Sequence, residues 1–292
     1  MTSARVPACP DGVAPRTAKG LATLAAEALA RLRATTPLVQ CVTNVVTTNL
    51  VANALLAVGA SPAMADVPGE SEELAGVAGA LLVNLGTPAP DQRASIGGTV
   101  AAARGAGTPW VLDPVAVGVL SWRTRTALGL LAEAPAIVRG NASEVRALAG
   151  VAGGGRGVDA RHGVDDARDA AAAVASTTGG VVAVSGLVDL VTDARSQVRL
   201  AVGHAWLARV TGAGCALGGL CAAFAAVAEP LDAAVAATGL FGLAAEDAAR
   251  GAAGPASFQV ALLDRLASFE PDELGARLAT SALVDDVAAV RA

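Results

Sequence analysis

Aromatic residues are nearly absent from this chain. Phe, Trp and Tyr together make up 2% of its 292 residues, and there is no Tyr at all. Single-stranded nucleic acid is held by stacked rings above a basic groove. Here 21 Lys and Arg face 26 Asp and Glu, a formal net charge of −5. Neither the rings nor the basic stripe of a nucleic-acid binder is present, so a small-molecule ligand is the expectation. Cysteine is scarce too: Cys9, Cys41, Cys215 and Cys221 form no C-x-x-C pair, and the two His stand apart. That argues against zinc and redox motifs and suits a reducing cytoplasm. The longest apolar run, 213–228, is short of the roughly 20 residues of a membrane span. It is rich in Gly and Ala and reads as a buried helix. Residues 1–15 lack the apolar stretch of a signal peptide. Residues 1–19 read as a flexible extension and 20–292 as a single domain.

What is abundant is small and aliphatic. Hydrophobic residues make up 53% of the chain, and Gly alone contributes 33 positions. Short, nearly continuous apolar runs stand at 38–42, 81–85, 110–112, 136–138 and 181–184. Strands covered on both faces have this composition. Ala-rich stretches between them predict helices over about 18–33, 44–58, 70–79, 91–106, 124–133, 143–149 and 164–177. Alternating signals of this kind give βαβ units and a mostly parallel α/β sheet. Runs at 188–191 and 198–202 predict an antiparallel hairpin at one edge. Beyond Gly214 the pattern is helical to the end. The glycine-rich stretch 150–157 reads as a loop.

Ligands of open parallel sheets gather at the carboxyl ends of the strands. The residues that follow the apolar runs there are Asn44, the segment 84–87, Asp113, the segment 139–141, Ser185 and Gly186. Four groups among these and their neighbours can carry chemistry. Thr211-Gly212-Ala213-Gly214-Cys215 opens the long apolar helix. Small residues at a helix N-terminus leave backbone N–H groups open to an anion such as a phosphate, although a plain glycine-capped turn has the same look. No Lys-Ser/Thr follows, so this is not a Walker loop. Asp113 and Glu144 follow neighbouring strands and can hold Mg²⁺ mostly through water, or Glu144 simply complements its helix dipole. Arg139 suits phosphate or a structural ion pair; Arg123 and Arg125 read as a solvated helix start. The polar stretch from Gln40 to Asn49, with Met64 after the next helix, suits a small heteroaromatic ligand, although a lone Met is more often core.

These segments resemble the hydroxyethylthiazole kinases, a branch of the ribokinase-like fold. The matching stretches are PLVQCVTNVVTTNLVANALLAVGASPAMA, VLDPVAVG, RGNASEV, GRGVD, VAVSGLVDLVTD and VTGAGCALG, in family order across about residues 20–270. The resemblance implies phosphorylation by ATP of the primary alcohol of hydroxyethylthiazole, in thiamine biosynthesis or salvage. It implies that Met64, Gly212, Asn44 and Val46 bind the substrate, that Arg139 and Ser185 bind ATP, and that Asp113 and Glu144 bind Mg²⁺. Gly212, Ala213 and Gly214 would hold the transferred phosphate, and Cys215 stands where broader relatives carry a catalytic Asp. A cytoplasmic homotrimer with active sites between subunits is implied as well. Rival expectations are a hydroxymethylpyrimidine kinase, a cysteine hydrolase pairing Cys215 with His204, and a thiazole-binding protein without turnover. At a helix N-terminus, Cys215 can have a lowered pKa.

Overall fold

The computed structural model describes residues 17–151 and 164–284. Residues 1–16, the stretch 152–157 of the expected loop and the GRGVD segment lie outside the described residues. Thr17 opens the first helix, α1 (Ala18–Thr35), its Oγ1 accepting the Gly20 N–H at 3.1 Å. The chain then runs through β1 (Leu38–Val42), α2 (Thr48–Val58), β2 (Ser61–Ala63), α3 (Glu70–Ala75), β3 (Ala80–Asn84), α4 (Pro90–Ala106), β4 (Trp110–Asp113), α5 (Ser121–Leu131), β5 (Ile137–Asn141) and α6 (Ala142–Leu148). A 3₁₀ turn leads into α7 (Arg168–Thr178), followed by β6 (Val181–Ser185), β7 (Asp189–Thr192) and β8 (Gln197–Leu200). Four helices come next: α8 (Ala213–Ala225), α9 (Pro230–Gly251), α10 (Pro255–Ser268) and α11 (Pro271–Arg277). Pro stands in the first turn of α4, α9, α10 and α11. It costs nothing there, because that N–H has no helical partner. A π-helical turn and a two-residue strand, β9 (Leu283–Val284), end the described chain.

The nine strands form one sheet in the order β2-β1-β3-β4-β5-β6-β7-β8-β9. Neighbours from β2 to β6 pair in parallel, and β6 to β9 in antiparallel fashion. Side chains alternate between the two faces. Leu82, Val111 and Ala183 point into a cluster with α1, α2, α8 and α9, while Leu81, Leu112 and Val182 point into one with α4, α5, α6 and α7. Each fully buried Val or Leu contributes roughly 1.5–3 kcal/mol. Both faces are therefore covered, as the unbroken apolar runs require.

Three expectations need correction. The helix expected from 44 begins at Thr48, because Asn44 closes a turn first. Its Oδ1 accepts the Val46 N–H at 2.9 Å, and its carbonyl accepts the Thr47 N–H at 2.9 Å. The helix expected over 70–79 ends at Ala75. The chain is not helical to its end, since β9 returns to pair with β8. The antiparallel edge is thus wider than a hairpin. β2 was not anticipated either: Ser-Pro-Ala is too short and too polar to read as a strand, but it pairs with β1 at the sheet edge.

Candidate active site

The strand order reverses between β1 and β3, since the chain moves outward from β1 to β2 and then returns to the other side of β1. Such a reversal opens a crevice beyond the carboxyl ends of the two strands. Asn44 and Asn84 meet there. Their amides flank Gly86, at 2.6 and 2.8 Å from where a Cβ would stand.

The next strand ends carry a connected row of polar groups. Asn84 and Asp113 are register partners on β3 and β4. The Asn84 Nδ2 donates to Asp113 Oδ2 at 2.7 Å. Arg139, on β5, brings its guanidinium to 4.0 Å from the same oxygen. It also donates to Ser185 Oγ, at the end of β6, at 2.8 Å. Asp113 is 1% exposed, and its Oδ1 has no hydrogen-bond partner among the described residues. Burial raises its pKa to about 7; the Glu144 charge raises it too, while Arg139 and Asn84 act to lower it. Burial opposes the charge on Arg139, but the carboxylates of Asp113 and Glu144 outweigh that and raise its pKa.

Glu144 is committed to the backbone. Asn141 Oδ1 accepts the Glu144 N–H at 2.9 Å, and Glu144 Oε2 accepts the Asn141 N–H at 2.9 Å, a reciprocal cap on α6. Glu144 Oε1 accepts the Ala116 N–H, at 3.0 Å, from the loop after β4. Glu144 thus serves the start of its helix through a reciprocal cap, where the sequence had suggested only a complement to the helix dipole. The cap also fixes the carboxylate close enough to act on the charges of Asp113 and Arg139.

The N-terminus of α8 covers this row. Gly212 is its N-cap, with φ of 87°. A Cβ there would stand 2.7 Å from Thr47 Cβ, so both conformation and space call for glycine. At Gly214 a Cβ would stand 2.7 Å from the Arg139 Nη1, so the missing side chain is what lets the guanidinium pass beneath the helix. Cys215 is 8% exposed. Burial raises its pKa, Asp113 raises it further, and contacts from Thr47, Arg139 and Asn84 only partly offset this. A lowered pKa from the helix terminus is not what the structure shows, because burial and the neighbouring carboxylate both favour the neutral thiol.

The other expected residues sit at the open side. Val46 is 63% exposed, and Met64, just past β2, is half-buried against the α2 and α8 side of the core. His204 does not face Cys215. Its ring packs against Trp206 and Phe258, and its Nδ1 accepts the Trp206 N–H. Arg123 donates to the Val115 carbonyl at 3.3 Å, and Arg125 lines a shallow groove between α4 and α5 away from the strand ends. Asn84 and Thr47, singled out in sequence only as members of the segments 84–87 and 40–49, stand inside this cluster. A polar residue closing the buried run 80–84, directly before Leu85-Gly86, was the available signal for Asn84.

Comparisons with known proteins give the family. Residues 29–272 match the Hydroxyethylthiazole kinase family. A hydroxyethylthiazole kinase from Clavibacter sepedonicus is 56% identical over 248 residues, covering 85% of this chain and 90% of that protein. One from Cutibacterium acnes is 51% identical, covering 88% and 93%. Among solved structures, a hydroxyethylthiazole kinase protein from Pyrococcus horikoshii OT3 superposes with a TM-score of 0.78 at 41% identity, covering 84% of this chain and 93% of its own. A Staphylococcus aureus pyridoxal kinase shares the fold at 16% identity, with a TM-score of 0.57 over 71% of this chain and 86% of its own.

Proposed function

The chain belongs to the hydroxyethylthiazole kinase family, and from that premise we propose that it transfers the γ-phosphoryl group of ATP to the primary alcohol of 4-methyl-5-(2-hydroxyethyl)thiazole, in thiamine biosynthesis or salvage. The observation that carries this reading is the row Asn84, Asp113, Arg139 and Ser185 across four consecutive strand ends beneath the N-terminus of α8. It concentrates fixed cationic and dipolar groups where a phosphoryl chain would lie.

Arg139 and Ser185 bind the polyphosphate of ATP. The backbone N–H groups of Gly212, Ala213 and Gly214 receive the transferred group. The substrate hydroxyl lies beside Cys215 and attacks in line; the bond to the β-phosphate oxygen breaks and ADP leaves. Burial keeps the Cys215 thiol protonated near neutrality. Its task is therefore to orient the hydroxyl, whose proton is lost late to a phosphoryl oxygen. That suffices because the transition state of phosphoryl transfer is loose and asks for little nucleophilic push. Asn44, Val46 and Met64, with Gly212, border the thiazole.

The acidic pair fits Mg²⁺. Asp113 keeps a buried oxygen without a partner, and hard carboxylate oxygens are the donors that this ion takes. Asp113 would hold it, with Glu144 acting through water, and the ion when bound neutralises charge on the phosphates. Exposed Val45 and Val46, at 55% and 63%, stand beside the open half of the site. In the homotrimer that belongs to this reading, a neighbouring subunit would cover them and the thiazole. A single catalytic domain from residue 20 onward, working in the cytoplasm, completes the reading. Among the described residues no helix is long and apolar enough to cross a membrane.

A coupled ADP-release assay with hydroxyethylthiazole, a hydroxymethylpyrimidine and pyridoxal tests the assignment. Turnover with the thiazole well above the other two is the expected result. Thiazole binding without ADP release would leave a binding protein instead.

A further inference from the structure

The Asn84 amide is held at both ends. Its Oδ1 accepts the Gly86 N–H at 2.8 Å, which fixes which way the amide faces. The Nδ2 is thereby aimed at Asp113 Oδ2, at 2.7 Å, in the buried interior. One side chain on β3 therefore fixes the strand-end carboxylate of β4 against the loop that follows its own strand.

The effect on Asp113 is asymmetric. Oδ2 is taken by Asn84 and faces Arg139, whereas the buried Oδ1 has no partner among the described residues. A carboxylate gripped by one oxygen cannot rotate, so its free oxygen keeps one direction. Groups that grip a ligating carboxylate in this way set its orientation.

We propose that Asn84 is a positioning residue for phosphoryl transfer: it clamps Asp113 so that Oδ1 faces the nucleotide side. This rests on the reading of Asp113 as the metal-side carboxylate. Asn84 itself touches neither the substrate nor the reacting phosphorus.

The test uses Asn84→Ala and Asn84→Asp in the full chain, with Asp113→Asn as reference. Asn84→Asp keeps the shape and the acceptor for the Gly86 N–H while removing both donors, so it remains informative if Asn84→Ala does not fold. Loss of an outer-shell partner costs about 10- to 100-fold in activity or metal affinity. A kcat loss of that size is expected, with KM for ATP and for the thiazole changed by less than about 3-fold. Binding of Mn²⁺ to the protein–ADP complex, followed by electron paramagnetic resonance, should weaken by about 10-fold. A merely structural role would lower the thermal midpoint while leaving the kcat of folded protein and its Mn²⁺ affinity unchanged, and that outcome overturns the proposal. So does a raised thiazole KM at unchanged kcat. If Asp113→Asn is impaired while folded Asn84 variants behave as wild type, only the clamp is wrong. If Asp113→Asn is itself fully active, the reading of Asp113 fails and the clamp falls with it.

Discussion

The two halves of the site are built by different means. On the half proposed for the phosphates, side chains hold one another: Asn84 grips Asp113 and Arg139 spans from Asp113 to Ser185, the first two buried and the last two partly so. On the half proposed for the thiazole, side chains stand open and the backbone beneath them is what is held. Gln92 Nε2 donates to the Thr43 carbonyl at 2.8 Å and to Asp66 Oδ2 at 2.6 Å, tying the end of β1 to the segment after β2. Gln40 Nε2 donates to the Ala65 carbonyl, next to Met64, at 2.9 Å. The first half is preorganised for charge. The second is a rim tethered through its backbone and open on its outer side. Substitutions should therefore act on kcat in the first half and on the thiazole KM in the second, and each prediction below tests that division.

The largest effect is expected at Asp113. Asp113→Asn should lower kcat by on the order of 100- to 1000-fold, in line with the loss of one preorganised electrostatic group. Stability should move the other way. The folded pKa of about 7 lies above the ordinary 3.8, so between these values the native state holds a proton that the unfolded chain has released. The stabilisation is present in full below 3.8 and is lost as pH rises through about 7. Measured without nucleotide or divalent ion, the wild-type thermal midpoint should fall across that window. Asp113→Asn should flatten the fall and melt a few degrees higher at pH 8. A parallel pH profile in both proteins would show that Asp113 is not the titrating group.

Arg139→Ala comes next. Arginine grips phosphate through two parallel N–H groups, so kcat/KM for ATP should drop by about 100-fold, and Arg139→Lys should recover little of it. The substitution also strips Asp113 of its countercharge, so the loss should not be confined to ATP binding. An unchanged kcat with a raised ATP KM alone would separate the two residues. Cys215→Ala should cost about 10-fold in kcat, because orientation is lost while the anion-binding turn remains. Cys215→Asp should retain substantial activity, since an acid there can take the alcohol proton. The raised thiol pKa predicts slow alkylation by iodoacetamide at pH 7. Rapid modification, or a covalent phosphoryl adduct in mass spectrometry, would contradict an orienting thiol.

The phosphate half was the more legible in sequence. Asp113, Arg139 and Ser185 each end an apolar run, and sheet geometry alone sends such residues to one rim. Gly212 was legible from its place before an apolar helix. What could not be read was pairing. That Arg139 reaches Ser185, or that Glu144 spends both oxygens on backbone N–H groups, depends on strand order and register. β2 was hidden because three residues, one of them Pro, carry no periodicity, and β9 because two residues carry none either. The pKa of Cys215 was misjudged because a helix terminus is visible in sequence and burial beside a carboxylate is not.

The smallest effect tests the open half. Met64 packs on the core with one side only, and Val46 stands 63% exposed. Neither side chain carries charge or a hydrogen-bonding N–H or O–H, so their loss should leave the charge arrangement intact. Met64→Ala removes apolar contact worth about 1–2 kcal/mol to a bound heteroaromatic ring, which is a rise in thiazole KM of roughly 5- to 30-fold. The KM for ATP and the kcat at saturating thiazole should stay within about 2-fold. Val46→Glu carries the test to the subunit level. If a neighbouring chain covers this rim, a buried unpaired carboxylate there should shift sedimentation from trimer toward monomer and raise the thiazole KM together. If the rim is finished by the ligand alone, the thiazole KM should rise with no change in mass. A fall in kcat for Met64→Ala at saturating thiazole would break the division outright, because it would mean that the thiazole wall helps to aim the hydroxyl at the phosphorus.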